Sequence, residues 1–295
     1  MRDYYFEIAD FIVRLRLSDD KDMGRLLPSF RPFVCDGTGN GQSDCLLEAM
    51  VDSLSGVPPV QKDRLLEEDR NDMGYIRLYQ NGNQYLIEIQ SADELPCHYM
   101  TADKLFRSVR IYVDWSDRTV GAVLSSMLRI AYSQAILPHQ GVSIHASAVC
   151  WNGQSYLFMG KSGTGKSTHS ALWIKYFEGC ELLNDDNPVV RILGDKVMAY
   201  GTPWSGKTPC YRNLGFPVGG MVRLYQSEVN RYKVCQNIDA FVALLPGCSV
   251  IAKDKVLYNS LCDTVALLSE MVKVGVLYCL PDRNAAELCR QFLQK

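Results

Sequence analysis

Gly160-Lys161-Ser162-Gly163-Thr164-Gly165-Lys166-Ser167 is the stretch on which the reading of this 295-residue chain turns. It fits the pattern G-x-x-x-x-G-K-[ST]. In that pattern glycines let the backbone curl until successive N–H groups face phosphate oxygens. The lysine adds charge at the β- and γ-phosphates, and the serine offers a hydroxyl to Mg²⁺. Context supports it: Ser155 to Met159 reads as a strand, and Lys166 to Phe177 as a helix with Gly179 as its C-cap. Phosphate would then lie at the positive end of a helix. The nucleotide contacts expected are Gly160, Ser162, Gly163, Thr164, Gly165, Lys166, Ser167 and Thr168, with ATP and Mg²⁺ as the cofactors.

About twenty residues on, the apolar run Glu181-Leu182-Leu183-Asn184 ends in Asp185-Asp186. Carboxylates at a strand's C-terminal end face the crevice where α/β sheets bind ligands. Phosphoryl transfer needs one acid near the metal and usually another for the nucleophile's proton. The same two acids also suit a turn before Pro188. Upstream, His145 lies in Ile144-His145-Ala146-Ser147-Ala148, within a strand predicted over Gly141 to Trp151. Taken alone, a strand histidine is more often a satisfied core residue than a ligand. Downstream, the loop from Tyr200 to Asn213 crowds Trp204, Lys207 and Arg212 among glycines and prolines. Lys207 and Arg212 have the chemistry to clamp a phosphate or an acidic acceptor. A surface loop anchored by Trp204 fits that composition as well.

Around these motifs the chain reads as two regions. Residues 1–115 are strand-rich: Tyr5 to Arg16 alternates, Val109 to Val113 is strand-like, and Asn81-Gly82-Asn83 joins Tyr75–Tyr79 to Tyr85–Ile89 as a hairpin. Asp36-Gly37-Thr38-Gly39-Asn40-Gly41 lacks strand-to-helix context and reads as an ordinary loop. A helix over about 119–137 opens the second region, 116–295. There, strands over Val189–Leu193, Val197–Tyr200 and Gly220–Tyr225 and helices near 237–245, 257–272 and 282–294 complete a mixed α/β pattern. Net charge is −2 without a long basic run, which gives no support to nucleic acid or an anionic membrane as partner. Arg129 interrupts the longest apolar run, which therefore reads as a buried helix. Eleven cysteines, scattered and never as C-x-x-C, argue for a reducing compartment rather than a zinc or disulfide framework. With no signal sequence in Met1 to Tyr5, the expected location is cytoplasmic.

Taken in order, His145-Ala146-Ser147-Ala148, Gly160 to Ser167 and Asp185-Asp186 resemble the core of two related families. These are HPr kinase/phosphorylase and ATP-dependent phosphoenolpyruvate carboxykinase. The wording Ser162-Gly163-Thr164-Gly165-Lys166 is more like the carboxykinases, and the overall size more like the HPr kinases. The resemblance implies a mixed-sheet P-loop kinase core, preceded by a smaller strand-rich α+β region. It implies that His145 and Asp186 approach the metal beside Ser167, with Mn²⁺ an alternative to Mg²⁺. Asp185 is then the proton acceptor, with a sharing or exchange of roles between the two acids as the alternative, and Lys166, Lys207 and Arg212 complete the catalytic set. The implied activity is transfer of a γ-phosphoryl group to a hydroxyl of a small molecule or a protein serine. Carboxykinase-like chemistry and non-catalytic ATP sensing are the alternatives. The likeness covers about residues 140–215. Thr168 stands where HPr kinases usually carry an acid, and that family's later Gly-rich signature is missing.

Overall fold

The computed structural model describes residues 1–37, 45–57, 62–71, 74–206 and 208–294. Part of the loop expected at Asp36–Gly41, and position 207 of the later loop, lie outside them. Two compact units divide the chain, Met1–Ile136 and Leu137–Lys295.

In the first unit the alternating run expected over Tyr5 to Arg16 is a hairpin of β1 (Arg2–Ile8) and β2 (Phe11–Leu17). Ala9 and Asp10 turn the chain with φ of +50° and +58°. Strands β3 (Val34–Cys35), β4 (Leu47–Ser53), β5 (Arg64–Asn71), β6 (Gly74–Asn81), β7 (Gln84–Gln90), β8 (His98–Asp103) and β9 (Ser108–Val113) follow a short helix, α1 (Met23–Leu26). Among the described residues the sheet order is β3-β1-β2-β4-β9-β8-β7-β6-β5, and the predicted Asn81–Gln84 hairpin is present. Helix α2 (Val120–Ala135) closes this unit rather than opening the next. Its buried face packs on β4, β8 and β9, and the Tyr132 hydroxyl donates to the Ile8 carbonyl at 2.8 Å. The division therefore falls about twenty residues later than the one drawn from sequence.

The second unit contains the glycine-rich loop Gly160 to Ser167. Its strands are β10 (Gly141–Ser143), β11 (Ala146–Trp151), β12 (Gln154–Met159), β13 (Glu181–Asp186), β14 (Val189–Leu193), β15 (Lys196–Tyr200), β16 (Gly215–Gln226), β17 (Arg231–Cys235) and β18 (Val274–Cys279). Its helices are α3 (Lys166–Tyr176), α4 (Asn237–Leu244), α5 (Lys255–Met271) and α6 (Arg283–Gln294). Among the described residues the mixed sheet runs β10-β14-β15-β16-β12-β11-β13. Strand β18 also pairs with β16, and β17 with β18. The long β16 makes this possible: its start pairs antiparallel with β15, its middle parallel with β12, and its end parallel with β18.

The single strand expected over Gly141 to Trp151 is broken. Ile144 bridges Cys248, and the His145 N–H donates to the Gly247 carbonyl at 2.7 Å. That detour takes His145 out of the ladder, just before β11 begins.

Helix α3 has little apolar patterning, and its buried residues are His169, Ser170 and Trp173. Trp173 is fully buried, with ring centroids 4.9–6.0 Å from Tyr156, Phe177, Phe158 and Trp151. The Ser170 hydroxyl donates to that of Ser147 on β11 at 2.7 Å, and the Trp173 indole N–H donates to His169 Nε2 at 3.1 Å. Burial pushes His169 down to about 4, so the imidazole is neutral at pH 7. An unfolded imidazole titrates near 6.5. Between pH 6.5 and 4 the unfolded chain takes up a proton that the folded chain refuses, so stability falls as pH falls. Urea unfolding should lose about 2 kcal/mol between pH 7 and pH 5 from this residue. His169→Gln, which keeps an acceptor for Trp173, should show a correspondingly flatter pH dependence.

Candidate active site around the phosphate loop

Strand register assembles the site. Ala146 at the start of β11 is paired with both Met159 at the end of β12 and Asp186 at the end of β13. Because β11 is antiparallel to both neighbours, His145, Gly160 and the Asp185-Asp186 pair all emerge at one sheet edge. This is the edge at which open α/β sheets bind ligands.

From Gly160 the chain enters the loop and then α3. Gly163 and Gly165 adopt φ of +80° and +96°, conformations that a side chain disfavours. Thr164 closes the turn, its hydroxyl donating to the Lys161 carbonyl at 2.8 Å. Lys166 folds back, its ammonium donating to the carbonyls of Gly160 at 3.1 Å and Lys161 at 3.3 Å. Burial lowers the Lys166 pKa, opposed by the charges of Asp186 and Asp185. Ser162 and Thr168 are exposed, Thr168 in the first turn of α3.

The two acids have different surroundings. Asp185 is 4% exposed and accepts a hydrogen bond from the Ser167 hydroxyl on Oδ1 at 2.8 Å. Its Oδ2 is buried with no hydrogen-bond partner among the described residues. Asp186 is more open, with Oδ1 3.3 Å from Nε2 of the half-exposed His145.

A buried polar lattice holds the acids in place. The Asn184 amide donates to the Trp204 carbonyl at 3.0 Å and also reaches the Thr202 carbonyl and hydroxyl. Its oxygen accepts the Asn187 N–H at 2.9 Å, and the Thr202 hydroxyl donates to the Asn187 carbonyl at 2.8 Å. Ser205 bridges Asp186, and the Gly206 N–H donates to the Asp185 carbonyl. Sequence reasoning missed Asn184, Asn187 and Thr202. The available signal was the uninterrupted polar run Asn184 to Asn187, which is longer than two acids require.

Of the residues nominated from sequence, the fold brings together the loop, Lys166, Ser167, Asp185, Asp186 and His145. Arg212 is directed elsewhere. Its guanidinium donates to the Leu182 carbonyl at 2.8 Å and pairs with Glu181 at 2.8 Å, at the far end of β13. Three residues of extended chain, about 10 Å, separate that point from Asp185. Arg212 ties the loop to the strand, and the fold does not bring it to the acid pair. Lys207 lies outside the described residues.

No family model matches the chain, and no curated protein matches it. Among solved structures the HPr(Ser) kinase/phosphatase from Coxiella burnetii aligns with 13% identity and a TM-score of 0.33. That alignment covers 52% of this chain and 88% of the other.

The donor set suits a hard cation held with phosphate. Ser167 and Asp185 offer oxygen, and the unsatisfied Asp185 Oδ2 has capacity for a further contact. Among the described residues no group of three or more His, Cys, Asp or Glu could hold a metal alone. Mg²⁺ commonly takes one or two carboxylates and completes its shell with substrate phosphate and water. Among the described residues no helix is long and apolar enough to cross a membrane.

Proposed function

We propose that the chain is an ATP-dependent phosphotransferase that passes a γ-phosphoryl group to a hydroxyl of a small molecule or a protein serine. The observation that carries this reading is the 2.8 Å hydrogen bond from Ser167 to the buried Asp185. In P-loop enzymes a loop serine or threonine and an acid at a strand end together hold the metal. A loop for phosphate alone would not require a desolvated carboxylate against that serine.

The contacts support an exchange of the two acids' roles as implied by resemblance. Asp185, bonded to Ser167, belongs on the metal side. Asp186, more open and beside His145, is placed to take the acceptor's proton. His145 orients that carboxylate through the 3.3 Å contact. Lys166 and the amides at the start of α3 hold the phosphates, the lysine leaving its two loop carbonyls to do so. Bound Mg²⁺ would neutralise charge on the β- and γ-phosphate oxygens. Chemistry of this kind is mostly positioning and electrostatics, which suits a rigid, hydrogen-bonded strand end.

Incubation with γ-labelled ATP and a cell extract should label a discrete acceptor, in protein or in the small-molecule fraction. Nucleotide binding without any labelled acceptor would favour a sensing role instead. Asp185→Asn is expected to weaken metal-dependent ATP affinity by about 10- to 100-fold, measured by calorimetry with and without Mg²⁺. Unchanged affinity with abolished transfer would return the proton-acceptor role to Asp185. The His145–Asp186 contact also favours a second reading, carboxykinase-like chemistry with Mn²⁺ at that pair. Oxaloacetate-dependent nucleotide turnover would distinguish it.

A further inference from the structure

Strand β16 outruns its neighbour. Its pairing with β12 ends at Met159–Arg223, where β12 turns into the phosphate loop. Beyond that level β16 continues through Leu224, Tyr225 and Gln226, paired only with β18 among the described residues. The overhang is attached to the loop at its tip, since the Gln226 amide donates to the Gly163 carbonyl at 3.0 Å.

On this overhang Tyr225 lies opposite Tyr278 of β18, with ring centroids 5.4 Å apart and planes 20° from parallel. The Arg231 guanidinium lies 4.7 Å from the Tyr278 centroid. Tyr278 is thus packed between neighbours, while Tyr225 is 44% exposed. The rim beside the pair is cross-linked by hydrogen bonds. The Asn230 amide donates to Asp282 at 2.9 Å and its oxygen accepts the Leu280 N–H at 2.8 Å, tying together the loops that follow β16 and β18. A stacked tyrosine pair on adjacent strands is ordinary sheet stabilisation. This one differs in its place: a half-open ring at the ligand-binding edge, one residue from the side chain that grips the phosphate loop.

We infer that Tyr225, backed by Tyr278, is the platform on which the nucleobase stacks, with purines preferred for their larger π surface. The inference rests on the phosphate-loop reading above and extends it to the other end of the nucleotide. The acids lie across β11 from the loop strand, on the side away from β16 and β18. Stacking on an aromatic ring is sequence-tolerant, so this platform by itself separates purine from pyrimidine better than adenine from guanine.

The test compares ATP, CTP and inorganic tripolyphosphate by calorimetry. Wild type should bind ATP more tightly than CTP. Tyr225→Ala should lose about tenfold in ATP affinity and narrow that difference, with tripolyphosphate affinity unchanged. Tyr225→Phe, which keeps the ring, should resemble wild type with all three. Equal weakening of ATP and tripolyphosphate in Tyr225→Ala, or no weakening of ATP, would overturn the platform and leave the phosphate loop intact. Failure of wild type to bind tripolyphosphate or ATP at all would overturn the phosphate-loop reading, and the platform with it.

Discussion

Asp186→Asn is expected to bind nucleotide with near-normal affinity and to lose about 10³-fold in kcat, because positioned acid–base groups contribute 10²- to 10⁴-fold. Asparagine is isosteric: its oxygen can accept the Asn187 side-chain amide that Asp186 Oδ2 accepts, its amino group then faces His145, and the bonds of Asn184 and Thr202 to the Asn187 backbone are kept. It lacks only the basicity that would accept a hydroxyl proton. Kinetics with the labelled acceptor should therefore show kcat falling with little change in KM for ATP. A 10- to 100-fold loss of metal-dependent affinity would place Asp186 at the metal instead, as the family resemblance implied.

The second large effect concerns the seat of α3. Trp173→Ala should destabilise the chain by about 4 kcal/mol, the usual range for deleting a large buried aromatic being 3–5 kcal/mol. Trp173 is fully buried, with four aromatic rings around it and its indole N–H satisfied by His169. Its loss opens a cavity under α3 and leaves His169 Nε2 without its donor. Urea denaturation should show a lowered midpoint with the slope little changed. Because α3 presents the loop amides and Ser167, ATP affinity should fall as well. A loss under about 1 kcal/mol would mean that α3 is seated chiefly by the Ser170–Ser147 contact.

Much of the second unit was legible because local rules act within a few residues. The strand over Ser155–Met159, the glycines of the loop and the helix from Lys166 follow one another directly in sequence, and all are present. Helices α4, α5 and α6 likewise fall close to their predicted ranges. Strands β17 and β18 were missed; both owe their pairing to partners distant in sequence. The helix at Val120–Ala135 was recognised and assigned to the second region, whereas it packs with the first unit. Its pattern shows that one face is buried, not which sheet covers it.

The site followed the same division. By itself the sequence determined that the chain carries a glycine-rich loop between a strand and a helix, an acid pair at a strand end and a histidine upstream, since each is a local run of residues. Tertiary structure alone decided which of these meet. The antiparallel placement of β11 between β12 and β13 brings His145 beside Asp186, and α3 lying against β11 and β13 brings Ser167 to Asp185. It also sent Arg212 to Glu181, because a long cation in a loop takes the nearest carbonyl and carboxylate that strand register offers, and register is a property of the whole sheet.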